Sequence, residues 1–432
     1  MREVAGKSET PEGYRGVEFG PKTLSIPKDW AVKRFGDVFS RRSESITPKE
    51  GETVRYVGLK HLNSGELEIA GYDEDGQERS SSRRFEQGDV LFGKLRPNLE
   101  KAAIAPFEGV CSSDIIPIYS EDESLHEYLP YLMHSKLVRD RVVSTMEGTN
   151  LPRTSWDDLA SMRVPVPPET ERSCIASVLS TVDEQIQETD SAIDKTRELN
   201  RGLSQNLLFE GIGHSSYQTV QAGPKTFEIP EEWTVSTVGG ITSRLRNGIA
   251  EKQNHDGVGI PVTRIETIAE GFVDRDSIGW MDLDPDDYEE FRLQKGDILF
   301  SHKNSLEHLG KTAQYWSEET LFHGENLLLL RPDESVINPR FAYFFLNGET
   351  TRQICRSFAK KSVSQVSLNQ KEVSALPIPL PPMEEQDRIV EILDKGEKVL
   401  HEERATKEAL QGLKRGLMQD LLTGKRRVET DD

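Results

Sequence analysis

The chain carries two copies of one long segment, and this duplication limits what it can fold into more than any other feature. Residues 163–210 read RVPVPPETERSCIASVLSTVDEQIQETDSAIDKTRELNRGLSQNLLFE, and residues 376–424 read LPIPLPPMEEQDRIVEILDKGEKVLHEERATKEALQGLKRGLMQDLLTG. Pro165, Pro167 and Pro168 fall on Pro379, Pro381 and Pro382. Ile175 falls on Ile389, Leu179 on Leu393, Leu199 on Leu413, Leu203 on Leu417 and Leu207 on Leu421. Agreement of both punctuation and apolar phase over this length marks a duplication.

Each copy reads as a proline hinge feeding one long helix. Proline has no N–H, so Pro168 and Pro382 suit the first helical turn, where that donor has no partner anyway, while the prolines before them hold the chain extended. Glu169, Glu171, Glu384 and Glu385 then bring negative charge to the positive end of the helix dipole. Ile175, Val178, Val182, Ile186, Ile193, Leu199, Leu203 and Leu207 make one stripe. Ile389, Leu393, Gly396, Leu400, Leu410, Leu413, Leu417 and Leu421 make its counterpart, and Gly211 and Gly424 suit the helix ends. A helix from Glu169 to Glu210 would be roughly 63 Å long. A single seam of that length calls for a partner helix, and the other copy is the obvious one.

A chain of 432 residues has room for two or three domains, and 30% charged with 35% hydrophobic residues is ordinary for a water-exposed protein. No apolar run approaches the ~20 residues of a membrane span. The opening MREVAGKSETPEGYRG lacks the apolar centre of a secretory signal, so the expected location is cytoplasmic. Cys111, Cys174 and Cys355 form no CxxC pair, which suggests neither a disulfide framework nor a zinc module. The net charge of −20 argues on its face against nucleic acid. Placement qualifies that, because basic residues cluster locally: Arg79, Arg83, Arg84, Lys94, Arg96 and Lys101 in one half; Lys303, Lys311, Arg356, Lys360 and Lys361 in the other. The acidic excess is also what a chain adapted to high salt would carry.

Ahead of each body lies a second repeated border, with YRGVEFGPKTLSIPKDW from Tyr14 to Trp30 returning as YQTVQAGPKTFEIPEEW from Tyr217 to Trp233. Gly16, Gly20, Lys22 and Thr23 superficially suggest a phosphate loop, but Pro21 separates glycine from lysine and Thr219 replaces Gly16 in the copy. The border is better read as a turn into a domain, with Trp30 and Trp233 as core anchors.

Residues 31–162 and 234–375 are the divergent bodies. One inner landmark survives: Gly88, Asp89, Leu91 and Phe92 fall on Gly296, Asp297, Leu299 and Phe300, a turn into a buried strand. Strands are expected around Val54–Gly58, Ile115–Tyr119, Val262–Ile265 and Leu327–Leu330, and helices near Leu129–Val143 and Arg340–Phe358. GTNLPRTSWDDLASM and SVSQVSLNQKEVSA then lead each body into its hinge. Alike borders and unlike bodies suggest one scaffold holding two readers with different targets.

The IPxxW entry, the GDxLF landmark and the proline hinge with its apolar helix, in this order and given twice, resemble the specificity subunit of type I restriction-modification systems across nearly the whole chain beyond residue 13. The resemblance implies two α/β (α+β) target-recognition domains separated by an antiparallel pair of long helices. On that reading residues 1–13 are a flexible lead-in, 14–165 the first recognition domain, 166–211 the first spacer helix, 212–379 the second recognition domain, 380–424 the second spacer helix and 425–432 a polar tail. It further implies a split double-stranded DNA target, two modification (methyltransferase) subunits and restriction subunits as partners, and no chemistry or cofactor in this chain. S-adenosylmethionine, ATP and Mg2+ would sit on the partners. The residues agree with a non-catalytic role: none of the nine histidines forms HExxH, and there is no GxSxG elbow and no Asn/Asp-Pro-Pro-aromatic tetrapeptide. Antiparallel helices would hold the half-sites on the order of 40 to 60 Å apart, one DNA turn or somewhat more.

Candidate DNA contacts follow the landmark strand, where loops usually carry readers. Lys94, Arg96 and Asn98 offer groups for guanine, phosphate and adenine, with Lys101 nearby; His302, Lys303, Asn304 and Lys311 are their counterparts. Arg83, Arg84, Lys360 and Lys361 suit phosphate neutralisation. Asn150, Arg153, Ser364 and Asn369 are weaker candidates that would also serve as turn closers. Leu207, Leu208, Phe209, Met418, Leu421 and Leu422 put apolar residues on more than one helix face and are candidates for receiving partner helices. Two other classes remain open on sequence: a coiled-coil protein-binding adaptor without DNA specificity, and an enzyme with catalytic residues scattered through the bodies.

Overall fold

The computed structural model describes residues 11–19, 22–46, 54–75, 82–147, 151–222, 225–254, 256–268, 271–358, 360–361 and 366–429. The chain divides into two compact units, one of Met1–Asp190 with Ala405–Asp432, the other of Ser191–Arg404. The two long repeats are helices α4 (Glu169–Phe209) and α8 (Met383–Leu421), and each contributes its two halves to different units.

In the first unit a β-hairpin (Tyr14–Phe19 with Lys22–Pro27) leads to Trp30 and to the strand Ala31–Arg34, which pairs antiparallel with the hinge strand Arg163–Val166. The body's central sheet runs Ala102–Ile104, Val90–Gly93, Ile115–Tyr119, Ser40–Arg41, and helices α1 (Glu123–Met133), α2 (Lys136–Ser144) and α3 (Trp156–Ser161) complete it. A second, five-stranded sheet includes Ser82–Phe85, Gly109–Cys111 and Val54–Val57. The core joins Trp30, Phe35, Phe92, Tyr128 and Leu129 to Ile175 and Leu179 of α4, to Leu421 of α8 and to Leu422 just beyond it.

The second unit repeats this plan. Its hairpin is Tyr217–Ala222 with Lys225–Pro230, its hinge pair Thr234–Thr237 with Pro377–Leu380, and its central sheet runs Thr242–Asn247, Leu328–Pro332, Ile298–Phe300, Thr312–Gln314. Helices α5 (Pro339–Asn347), α6 (Glu349–Phe358) and α7 (Gln370–Ser374) take the places of α1, α2 and α3.

Within each unit the two helix segments run antiparallel. In the first, Asp183 meets Lys414 and Asp190 meets Lys407, each at 2.5 Å, so seven residues forward on one helix match seven back on the other. In the second, Thr196 donates to Glu403 at 3.1 Å. The helix heads carry their acids in the first turn as expected, Glu169 and Glu171 on one and Glu384 and Glu385 on the other, and two of them have a further partner. Glu171 and Glu385 are acceptors for tryptophan: Trp30 Nε1 donates to Glu171 at 2.8 Å and Trp233 Nε1 to Glu385 at 2.9 Å. The IPxxW entry and the helix head are thus two sides of one contact.

Three expected elements are corrected. The helix over Leu129–Val143 is two helices, because the Ser135 side chain caps α2 by accepting from Val138 N–H. Arg340–Phe358 breaks likewise at Gly348, which has extended backbone. The strand at Val262–Ile265 stops at Val262, since Thr267 Oγ1 accepts from Arg264 N–H and turns the chain into a 3-10 segment, Ile265–Thr267.

Candidate nucleic-acid interface

The landmark turn positions the candidate loops. Gly88 and Gly296 both adopt φ of 92°, a conformation costly for any residue with a Cβ. The buried aspartate that follows locks the turn. Asp89 accepts from Glu86 N–H at 2.9 Å and from the Arg42 guanidinium at 3.0 and 3.1 Å. Asp297 accepts from Gln294 N–H and from two nitrogens of Arg331, all at 2.7 Å. Arg42 follows an edge strand and Arg331 lies on the inner strand beside it, so the same acid is satisfied from different places. Each turn launches a buried strand, Val90–Gly93 or Ile298–Phe300, whose exit carries the candidate residues.

In the first unit that exit is Lys94. Its backbone is pinned on both sides, by N–H to Asp114 O at 2.9 Å and by O from Thr154 N–H at 3.0 Å. Burial pushes the Lys94 pKa down, and Arg83, Arg153 and Arg41 push it further against the opposing pull of Asp114. Lys94 therefore lies within electrostatic reach of three arginines and one carboxylate, in a chain that is strongly acidic overall. Arg153 is held to Asp114 at 3.2 Å, and Arg41 sits 5.7 Å from the Trp156 ring centroid. Beyond Lys94 the loop turns through Arg96 and Glu100, at φ of 49° and 52°, the non-glycine positive-φ residues among those described. Such backbone strain persists only where the surroundings impose it, and it concentrates at functional sites. Arg96 and Asn98 are exposed and make no side-chain hydrogen bond or ion pair with a described residue, while Glu100 is fixed by Arg139 at 2.8 Å.

Two first-unit candidates are placed differently from expectation. Arg83 and Arg84, paired in the sequence reading, are successive strand residues and so face opposite sides. Arg83 joins the Lys94 cluster, whereas Arg84 lies 3.9 Å from Glu44 and 3.8 Å from Glu108. The Lys101 ammonium donates to Leu59 O at 2.9 Å, a contact that braces the body. Arg79 and Asn150 lie outside the described residues. Arg41 was missed altogether; the signal was the Arg41–Arg42 dipeptide, whose second member is taken by Asp89.

In the second unit the landmark strand leads through buried Ser301 to His302, whose pKa burial and then Lys303 push down. Asn304 donates to Ser301 Oγ at 3.1 Å. The short strand Lys303–Asn304 pairs with Val366–Ser367, which also pairs with Lys360–Lys361. Lys303, Ser367 and Lys360 thus occupy one register row, and candidates nearly sixty residues apart in the chain meet on one three-stranded sheet. The side chains of Lys360 and Lys361, and Ser364 entirely, lie outside the described residues. Lys311 is the register counterpart of Lys101: Ser301 N–H donates to Lys311 O as Gly93 N–H donates to Lys101 O. Arg356 is occupied by Glu349 at 3.1 Å and by the Leu306 and Glu307 carbonyls. Asn369 caps α7 in a reciprocal pair with Glu372 and so closes a turn.

The apolar helix ends are likewise placed otherwise than expected. Leu208 is in the second unit's core, with Leu203, Leu207 and Phe209 packed against it. Leu421 and Leu422 are in the first unit's core, with Met418 against it. Burial by their own units accounts for Leu208, Leu421 and Leu422, whereas Leu207, Phe209 and Met418 are half-buried. The exposed apolar residues on the helices are Val178 and Leu413 in the first unit, 37% and 51% exposed, and Ile392 and Leu199 in the second, 38% and 61% exposed. These are the same two repeat positions in each unit, with Met383 and Val399 also exposed. Among the described residues no helix is long and apolar enough to cross a membrane, and no group of acidic, histidine and cysteine side chains could hold a metal ion.

A mixed α/β body given twice, each copy packed on segments of two long antiparallel helices, defines a class of duplicated scaffold, with cations gathered at the exit of the landmark strand in the first unit. The family profile described as type I restriction modification DNA specificity domain matches residues 27–195 and 230–411, and the chain belongs to this family. A Methanocaldococcus jannaschii protein assigned as the MjaX type I restriction enzyme specificity subunit is 42% identical over 219 residues, covering 50% of this chain and 51% of that protein. This chain therefore aligns with about half the length of that relative. The type I restriction enzyme EcoKI specificity subunit of Escherichia coli is 24% identical over 84% of this chain and 81% of that one. A solved chain, from work on assembly and conformational transition of the type I R-M system, shares the fold, with TM-score 0.59 and 21% identity over 93% of this chain and 99% of that chain.

Proposed function

We propose that this chain is the sequence-reading, non-catalytic subunit of a type I restriction-modification complex, each unit reading one half of a split double-stranded DNA target. The observation that carries the reading is the convergence of Arg41, Arg83, Lys94 and Arg153 beside the strained Arg96–Glu100 loop. Clustered cations give phosphate affinity by displacing counterions, and a loop held in a costly conformation gives a fixed frame for base contact. In this reading Arg96 and Asn98 address base edges of one half-site, and Lys303, Asn304 and the Lys360–Lys361 strand address the other. His302 and Lys311 stand behind that second set.

The partners in this reading are two modification subunits and restriction subunits, which carry S-adenosylmethionine, ATP and Mg2+. The repeated exposed pairs, Val178 with Leu413 and Ile392 with Leu199, supply equivalent docking positions for two copies of one subunit. The test is binding of the purified chain with its modification partner to DNA libraries across a salt series. A split motif is expected, with affinity falling as salt rises; a salt-indifferent, sequence-indifferent chain would instead be a protein-binding adaptor.

A further inference from the structure

Within the first unit a groove of about 730 Å³ opens between the Tyr14–Pro27 hairpin, α2, the start of the hinge strand and the end of α8. Phe19, Leu24, Leu137, Met162, Met418 and Leu422 give it an apolar floor. Its rim carries Lys136, Arg141 and Arg163 against one acid, Asp140, with Lys425 already paired to Asp420 at 2.9 Å.

The second unit shows what fills this place on the same scaffold. Phe227 stands at the repeat position of Leu24, and Phe209 at that of Thr423. Their rings meet at 5.3 Å and 78°, and Phe209 lies 5.5 Å from Phe345. Lys225 Nζ, donating to Gln353 Oε1 at 3.0 Å, ties that hairpin to α6. Thr423 is too short to reach across as Phe209 does, and Leu24 offers no ring to meet it.

We infer that the first unit's groove receives an acidic amphipathic helical segment of a partner protein, with an aromatic side chain seated between Leu24 and Thr423. The volume is larger than one ring needs, so a second apolar residue one helical turn away lies over Leu137 and Met418. Three rim cations against one acid call for acidic residues on the segment's flanks. A sugar-phosphate strand would satisfy the rim but leave the apolar floor facing charge. In the second unit Phe209 takes this place against Phe227 and Phe345, so the two units are unequal toward this partner although their exposed helix positions are alike. This inference is independent of which unit reads which DNA half.

The experiment uses the full chain and a fluorescein-labelled sixteen-residue amphipathic helical peptide bearing glutamates and one phenylalanine. Two further peptides replace that phenylalanine with alanine or the glutamates with lysine. Saturable anisotropy is expected for the first peptide, with at least tenfold weaker binding of the other two. The double substitution Leu24→Phe, Thr423→Phe, which copies the second unit, is expected to weaken the first peptide at least tenfold without lowering the melting temperature. Leu137→Glu, a single change at the groove wall, is expected to do the same should the double variant not fold. Equal binding of all three peptides, or undiminished binding to both variants, would overturn the inference. So would a tenfold gain when the chain starts at Pro11, which would make its own first ten residues the occupant, or displacement of the peptide by duplex DNA.

Discussion

The two units keep the same glutamate, buried in the first and half-buried in the second, but satisfy it differently. In the first, Glu171 accepts from Trp30 and from Arg427, at 2.5 and 2.8 Å from the guanidinium, and Arg427 also grips Asp29 at 2.7 and 3.1 Å. In the second, Glu385 accepts from Trp233, from Ile212 N–H and from His214, each at 2.9 Å. The acceptor and its tryptophan are the repeated scaffold; the donor from the returning chain is what duplication left free to vary. A permanent cation in one unit and an imidazole with a backbone N–H in the other make the first contact the stronger.

The largest expected effect sharpens this contrast. Glu171→Ala leaves the Trp30 N–H without its acceptor and Arg427 without its buried partner, and is expected to cost the first unit about 3 kcal/mol. Glu385→Ala, whose partners include no permanent cation, is expected to cost about 2 kcal/mol. Denaturant unfolding of both variants checks this, and equal losses would break the comparison. Burial raises the Glu385 pKa, but the Ile212 N–H, His214 and Trp233 together outweigh it and hold it below the usual carboxylate value. The stability it contributes is therefore present above that usual value and lost as pH falls through the lowered one. Glu385→Gln is expected to flatten this acid limb.

Next is the aromatic plug. Phe209→Ala opens in the second unit the space that is open in the first, at an expected cost of about 2 kcal/mol, less than for a fully enclosed ring. Unfolding midpoints with the m-value held constant read it out; a loss under half that size would mean the ring is not the filler.

A comparable effect comes from acid. His323 is fully buried in the second unit, and burial, reinforced by Arg246 and His302, pushes its pKa to about 3. The folded state binds fewer protons than the unfolded one between the ordinary value of 6.5 and about 3, so stability is present above 6.5 and falls as pH drops through that window. His323→Leu is expected to remove this slope, and unfolding measured at several pH values checks it. An unchanged slope would place the acid sensitivity elsewhere.

The smallest expected effects concern DNA. Lys94→Ala and Arg153→Ala are each expected to weaken binding about tenfold or less and to reduce the salt slope by about one phosphate contact. Lys101→Met, by contrast, is expected to leave the salt slope unchanged, because its ammonium serves Leu59 O. Salt titration of each variant distinguishes contact from bracing.

What could be read from the sequence follows the same division. Hinge, helices, entry tryptophans and landmark turn were legible because duplication prints each twice, and because proline, glycine and apolar phase act through local geometry. The roles of Glu171 and Glu385 were not, since their tryptophans lie far away in the chain. Lys303 and Lys360 gave no sign of sharing a sheet row, and Arg83 and Arg84 no sign that strand alternation would send one to the cation cluster and the other to Glu44. Leu208, Leu421 and Leu422 misled for a related reason: an apolar residue off the main helix stripe looks available until the hairpin and body that cover it are placed.

The most direct test is methylome sequencing of a host that carries this chain with its modification subunit, before and after Lys94→Ala with Asn98→Ala. A split methylated motif is expected, and the paired substitution should relax or abolish recognition in one half while leaving the bases of the other half unchanged. A single contiguous motif, or equal damage to both halves, would contradict two independent readers on one repeated scaffold.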